Sequence, residues 1–264
     1  IKAEDLDLII FATLSPDYFM PGNACLLQHA LGCKPIAALD IRNQCSGFLY
    51  GLSVANAFIQ SGVYKKILLI GAEVHSTGLD FSTRGRDVTV IFGDGAAAVV
   101  LGAVDDSEER GILSVHLHAD GRFAEELQCG YPSSAMNPRT DPERVKEGLH
   151  FPQMNGKTVF KHAVVRMPEA IVEALEHNGL SAEDIDMLIP HQANLRISEM
   201  VQRRLDLPGD KVFNNIQKYG NTTACSIPLA LDEAVKGGRI QRGDLVCFAA
   251  FGAGFTWGAA LVRW

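Results

Sequence analysis

Strand and helix patterns alternate along this chain and then repeat, so an α/β protein built by duplication, with mixed but mostly parallel sheets, is expected. The octet Ala3-Glu4-Asp5-Leu6-Asp7-Leu8-Ile9-Ile10 has a near copy 179 residues on, at Ala182-Glu183-Asp184-Ile185-Asp186-Met187-Leu188-Ile189. Helix starts near Cys45 and Asn221, 176 residues apart, each lead through an apolar helix to an apolar strand and a glycine-rich turn. An offset kept so nearly constant over three elements reads as an internal repeat. The alternation favours parallel strands joined by right-handed crossovers.

Each octet leaves a polar turn and enters a short strand, residues 8–10 and 187–189, with no polar position. That pattern suits a sheet covered on both faces. A further strand ends at about Asp40. Cys45 then opens an apolar-periodic helix that runs to Ser61-Gly62 and is followed by a strand at 67–70. Gly93-Asp94-Gly95 and a strand at 97–101 close the first copy. The second begins near Gly111, where residues 112–118 alternate as a strand does. Residues 129–150, rich in Pro, Asn, Asp and Arg, read as an excursion able to contribute to a site. The helix near Asn221 stops at Gly237-Gly238, and strands at 245–248 and 259–262 flank Gly252-Ala253-Gly254. The two halves are placed at residues 1–108 and 109–264. The start at Ile1, already beside a strand, suggests a natural protein longer by roughly 50 to 75 residues, a lead-in like that of the second copy.

The 264 residues are 47% hydrophobic, enough for a large core, and carry a formal net charge of -7. An acidic balance argues against nucleic acid as the main partner. No apolar run reaches the length of a membrane span, and no signal peptide is evident. The six cysteines form no CxxC pair and are expected to be reduced thiols of a cytoplasmic protein.

Among them Cys45 stands apart. It lies where a strand gives way to a helix, and a helix start with its free N–H groups favours a reactive thiolate. The competing reading is a buried structural thiol. His191 follows the second-copy strand at a place where the first copy has Ala12. Asn221, by the offset of 176, is expected to be the symmetry mate of Cys45, although Asn is also a common helix cap. A doubled fold can bring two such helix starts together beside a histidine, giving a nucleophile and two hydrogen-bond donors. The turn at Gly252-Ala253-Gly254 can offer an N–H to an oxyanion. Gly93-Asp94-Gly95 lacks the lysine and spacing of a phosphate loop.

Cys45-Ser46-Gly47-Phe48, Phe92-Gly93-Asp94-Gly95, His191-Gln192-Ala193-Asn194, Gly220-Asn221-Thr222 and residues 251–258 together resemble the signature set of the 3-oxoacyl-[acyl-carrier-protein] synthase III family. The likeness covers essentially the whole chain, in order and in spacing. It implies the five-layered αβαβα thiolase fold and a ping-pong decarboxylative Claisen condensation that starts fatty-acid synthesis. Cys45 would carry the acyl group from acyl-CoA, and His191 and Asn221 would stabilise the enolate formed from malonyl-acyl carrier protein. The backbone N–H groups of Cys45 and Ala253 would form the oxyanion hole. The resemblance further implies Arg84, or by another count Arg86, against the coenzyme A adenine. Phe160, Asn194 and Arg196 would line the coenzyme A channel, and Met20 would reach across a homodimer to close the acyl pocket. Lys161, Arg196, Arg203 and Arg204 would dock the carrier protein. No metal or cofactor is implied, since acyl-CoA is a substrate. The family's tryptophan opposite the arginine would precede Ile1, so weak coenzyme A binding is expected if the chain is complete.

Two related readings stay open: a condensing or acyl-transfer enzyme of secondary metabolism, and an inactive truncated relative. A papain-like hydrolase shares the order Cys, His, Asn, but its local cysteine signature is absent and the duplication has no place in it.

Overall fold

The computed structural model describes residues 1–105 and 107–264. Its elements run β1 (Leu8–Ala12), α1 (Asn23–Ala30), β2 (Ala37–Ile41), α2 (Gly47–Gln60), β3 (Lys66–Glu73), α3 (Arg86–Thr89), β4 (Gly95–Gly102) and β5 (Gly111–Ala119). They continue with β6 (Leu127–Gln128), α4 (Pro142–Lys146), β7 (Gln153–Met154), α5 (Gly156–His177), β8 (Met187–Pro190) and α6 (Leu195–Arg204). The last are α7 (Ile216–Tyr219), α8 (Ser226–Lys236), β9 (Leu245–Gly252) and β10 (Thr256–Arg263).

Two four-stranded sheets form, in the orders β2-β1-β3-β4 and β5-β10-β9-β8, with a small hairpin of β6 and β7 beside them. The strands without polar positions explain the layering. Along β1, Leu8 and Ile10 face one way, into a core shared with α2 and α8, while Ile9 and Phe11 face α1 on the other side. Along β9, Val246, Phe248 and Ala250 face that same shared core, while Leu245, Cys247 and Ala249 face α5 and α6. Period-two alternation with both faces apolar therefore gives five layers: α1, the first sheet, α2 with α8, the second sheet, then α5 with α6. Phe48 of α2 meets Phe248 of β9 edge-on, with ring centroids 6.1 Å apart, inside the central layer. Among the described residues no helix is long and apolar enough to cross a membrane.

The sheets are mixed, but parallel pairings do not predominate. Among the described residues, the two four-stranded sheets hold three parallel ladders (β1 with β2, β1 with β3, β8 with β9) and three antiparallel ones (β3 with β4, β9 with β10, β10 with β5), and β6 and β7 are also antiparallel. A short connection is one cause, since strands joined in parallel need a crossover of roughly a dozen residues or more. The 253–255 turn, for instance, forces β10 to run against β9.

The duplication is tighter than the sequence suggests. β1 and β8 start 179 residues apart, as do α2 and α8 and also β3 and β9. The short 3₁₀ turns Gln44–Ser46 and Thr223–Cys225, which lead into α2 and α8, keep the same spacing. This corrects one expectation: the backbone mate of Cys45 is Ala224, and that of Asn221 is Arg42. Asn221 lies before its turn, in a parallel bridge with Phe92, whereas Cys45 lies inside its own.

Candidate active site

Each half's central strand supports the other half's turn. A β-carbon added at Gly71 in β3 would come 2.6 Å from the Ala224 carbonyl oxygen, and one at Gly252 in β9 would come 2.6 Å from Cys45 Cβ. Only glycine allows so close an approach. Both turns open on a residue with positive φ, Gln44 at 41° and Thr223 at 53°, a region that non-glycine residues rarely adopt.

Cys45 is only 6% exposed. Its turn is fastened by Ser46, whose Oγ donates to the Asn43 carbonyl (2.9 Å) and lies 2.7 Å from Thr256 Oγ1. Thr256 Oγ1 in turn donates to the Ala253 carbonyl (3.1 Å), which holds the 252–254 turn over the sulfur. The Cys45 sulfur is approached by its own backbone N–H, that of Ala253 and the Asn221 side chain. These favour the thiolate, but burial, with the Glu73 carboxylate adding to it, outweighs them and pushes the thiol up to about 12. The expected reactive thiolate at rest is thus corrected. The helix start contributes, but a fully buried sulfur loses more from desolvation than three donors return.

Glu73, at the end of β3, was not singled out by sequence reasoning. Its carboxylate accepts from Leu14 N–H (3.1 Å), Ser15 Oγ–H (3.0 Å) and Thr13 Oγ1–H (3.2 Å). Burial nevertheless pushes it up to about 7. The available signal was an acidic residue closing an otherwise apolar strand.

His191 leaves β8 with its N–H on the Ala249 carbonyl (2.7 Å). Its Nδ1 lies 2.6 Å from Oγ of Ser226, the first residue of α8. Among the described residues, nothing hydrogen-bonds to the buried Nε2. Burial lowers the imidazole to about 3, so it is neutral at physiological pH. Asn221 accepts at Oδ1 from the Thr223 N–H (2.9 Å), which leaves its NH₂ as the end for the sulfur. The structure therefore brings Cys45, Asn221 and Ala253 together, and ties His191 to the helix that follows Asn221.

A cavity of about 880 Å³ opens in front of the sulfur, lined among others by Cys45, His75, Phe92, Leu127, Cys129 and Ala253. The remaining expected residues lie outside its lining. Arg84 bonds to the Asp80 carboxylate (2.6 Å) and the Glu147 carbonyl (3.0 Å), and its guanidinium sits 5.6 Å from the Phe151 ring centre. It borders a separate pocket of about 170 Å³ that shares Pro152 with the large cavity. Arg86 is exposed beside Asp87. Phe160 is half-buried and packs on the core beneath α5. Asn194 caps α6, its Oδ1 accepting from Arg196 N–H at 3.0 Å. Lys161, Arg196, Arg203 and Arg204 are exposed on the neighbouring helices α5 and α6. Met20 is 80% exposed, in a loop that also exposes Tyr18 and Phe19.

The family 3-oxoacyl-[acyl-carrier-protein (ACP)] synthase III matches residues 39–121, and its C-terminal counterpart matches residues 175–264. A beta-ketoacyl-[acyl-carrier-protein] synthase III from Caldanaerobacter subterraneus subsp. tengcongensis is 46% identical over the whole chain, which spans 78% of that protein. The protein of the same name from Rhodospirillum centenum is 48% identical, again over the whole chain and 79% of its own length. The crystal structure of 3-oxoacyl-[acyl-carrier-protein] synthase III from Aquifex aeolicus superposes with a TM-score of 0.89 at 43% identity, covering 100% of this chain and 79% of that one.

Proposed function

The chain belongs to the 3-oxoacyl-[acyl-carrier-protein] synthase III family, and on that premise we propose how its residues divide the work. The enzyme is an acyltransferase that condenses an acyl-CoA primer with malonyl-acyl carrier protein to give the 3-oxoacyl-acyl carrier protein that initiates fatty-acid synthesis. Cys45 is the nucleophile. Its sulfur attacks the acyl-CoA thioester, the C–S bond to coenzyme A breaks, and the thiol proton ends on the coenzyme A sulfur. Because burial holds the thiol near 12, the proton leaves only as the acyl group arrives. The N–H groups of Cys45 and Ala253 receive the oxyanion of that step.

Malonyl-acyl carrier protein then loses CO₂. The electron pair of the broken C–C bond spreads onto the thioester oxygen, where the Asn221 NH₂ and His191 Nε2 donate to it. With the Ser226 hydroxyl donating to Nδ1, the ring proton sits on Nε2 and the neutral imidazole is a donor. The enolate carbon attacks the acyl-Cys45 carbonyl, and the sulfur leaves and takes a proton from solvent. No cofactor enters these steps.

Arg84, whose small pocket shares Pro152 with the cavity, is assigned to the coenzyme A adenine, and Phe160, Asn194 and Arg196 to the coenzyme A channel, though none of the four lines the cavity itself. Lys161, Arg203 and Arg204 give α5 and α6 a basic face for the acidic carrier protein. The exposed loop of Tyr18, Phe19 and Met20 is the surface a second copy covers in a homodimer.

The observation that carries this reading is the Cys45 sulfur, met by two backbone N–H groups and a carboxamide at the end of a cavity large enough for an acyl thioester. Incubation with isotopically heavy acetyl-CoA, followed by peptide mass spectrometry, should place the acyl group on Cys45. Later addition of malonyl-acyl carrier protein should release CO₂ and clear the adduct. An adduct on another cysteine with Cys45 unmodified would sink the assignment.

A further inference from the structure

Thr223 carries a strain that nothing in the chemistry above accounts for. A β-branched residue at a φ of 53° is unfavourable and persists only where its surroundings over-determine it. Two bonds do so here. Its N–H donates to Asn221 Oδ1 (2.9 Å), and its Oγ1 lies 2.7 Å from His75 Nε2. His75, from the first half, is itself clamped. It is buried, its backbone N–H donates to Asp94 Oδ1 (2.7 Å), and its ring lies against Phe92 at 4.7 Å between centroids. Asn221 is fixed on its main chain too, since its N–H donates to the Ile91 carbonyl (2.8 Å) and its own carbonyl accepts from Gly93 N–H (3.0 Å). A carboxamide can be turned end for end, and the bond from Thr223 N–H to its oxygen decides which end meets the sulfur. The mate of Thr223, Gln44, has no side-chain hydrogen bond among the described residues, so this tether belongs to one half alone.

We propose that His75 is a positioning residue that acts through Thr223 to keep the Asn221 NH₂, not its oxygen, directed at Cys45. The inference rests on the proposed role of Asn221 as enolate donor. Burial lowers the imidazole to about 4, so it stays neutral and the tether is present throughout the physiological range.

His75→Leu should lower kcat for condensation roughly tenfold or more, approaching the loss expected for a missing enolate donor, and by a clearly larger factor than it slows Cys45 acylation by acetyl-CoA, whose cavity His75 also lines. His75→Gln, whose amide reaches the place of Nε2, should restore most of that rate. Thr223→Ala, a smaller change that also breaks the tether, should give the same split if the leucine variant does not fold. In an Asn221→Ala background the effect of His75→Leu should vanish, because a residue acting through Asn221 has nothing left to orient. Equal loss in both half-reactions, or additive effects in the double variant, would overturn the proposal. If Asn221→Ala alone condenses normally, the assignment of Asn221 itself fails and takes this proposal with it.

Discussion

The turns 44–46 and 223–225 are built alike, each with a positive φ, a short 3₁₀ segment and an apolar helix after it. Yet one presents a sulfur to the cavity and the other presents Ala224, which is buried. The difference arises at the strand ends that support them. β9 closes at Gly252 and turns straight into β10, so the chain lies flat against Cys45. β3 closes at Glu73 and departs for residues 74–94, returning with His75 and Phe92 for the cavity wall and with Gly93 for the bridge to Asn221. Duplication thus supplies two equivalent pedestals, and the unequal connections decide that one carries the nucleophile and the other its donors.

The sharpest way to break the comparison is to move the thiol. Cys45→Ala should abolish the acyl adduct altogether, and adding Ala224→Cys should not restore it, because that mate is buried and does not line the cavity in front of Cys45. Recovery of an adduct at residue 224 would mean the two turns are interchangeable. Next in size, His191→Ala and Asn221→Ala should spare acylation and slow malonyl decarboxylation by about 100- to 1000-fold, since each removes one donor from the developing enolate. Normal CO₂ release would show the donors to be misassigned.

Glu73 tests the other strand end. Its charge raises the Cys45 thiol, so Glu73→Gln should bring that thiol down and speed alkylation by iodoacetamide at mildly alkaline pH, by roughly threefold to tenfold. An unchanged alkylation profile would separate the two groups. The smallest effect concerns the outer helices. α6 ends in Arg203 and Arg204, whereas α1, after the matching strand, ends with only His29. Reversing both arginines to Glu should weaken the use of malonyl-acyl carrier protein several-fold more than that of acyl-CoA, and most at low salt. Equal loss with both substrates would point to misfolding.

Much of this was legible before the structure. The repeated octet and the apolar strands revealed the doubled α/β plan, because a strand buried on both faces cannot hide its composition. Cys45, His191 and Asn221 stood out as reactive or polar residues at element starts. Three things were not legible. Matching Asn221 with Cys45 as the two helix starts misplaced the offset by three residues, which only backbone geometry resolves. The state of the Cys45 thiol depends on burial by distant segments, which a helix-start argument cannot weigh. His75 and Glu73 matter through partners 148 and up to 60 residues away, and no local pattern encodes such pairings.

The buried rings of His75 and His191 have a consequence for how the fold answers acid. Both are held neutral, at about 4 and about 3, against an ordinary value of 6.5. Below 6.5 the unfolded chain therefore binds two protons that the folded chain refuses, and stability falls as pH drops. Glu73 works the other way. Held at about 7 against 4.5, it keeps a proton in the folded chain that the unfolded chain has released, so its contribution shrinks as pH rises through that window. Between 4.5 and 6.5 two protons oppose one, which leaves a net slope of about 1.4 kcal/mol per pH unit in favour of higher pH. Above 6.5 only Glu73 remains and the sign reverses. Thermal melts across this range should peak near 6.5 from these three groups, and His75→Gln should flatten the acid side. A melt that climbs equally steeply without that ring would mean the proton linkage lies elsewhere.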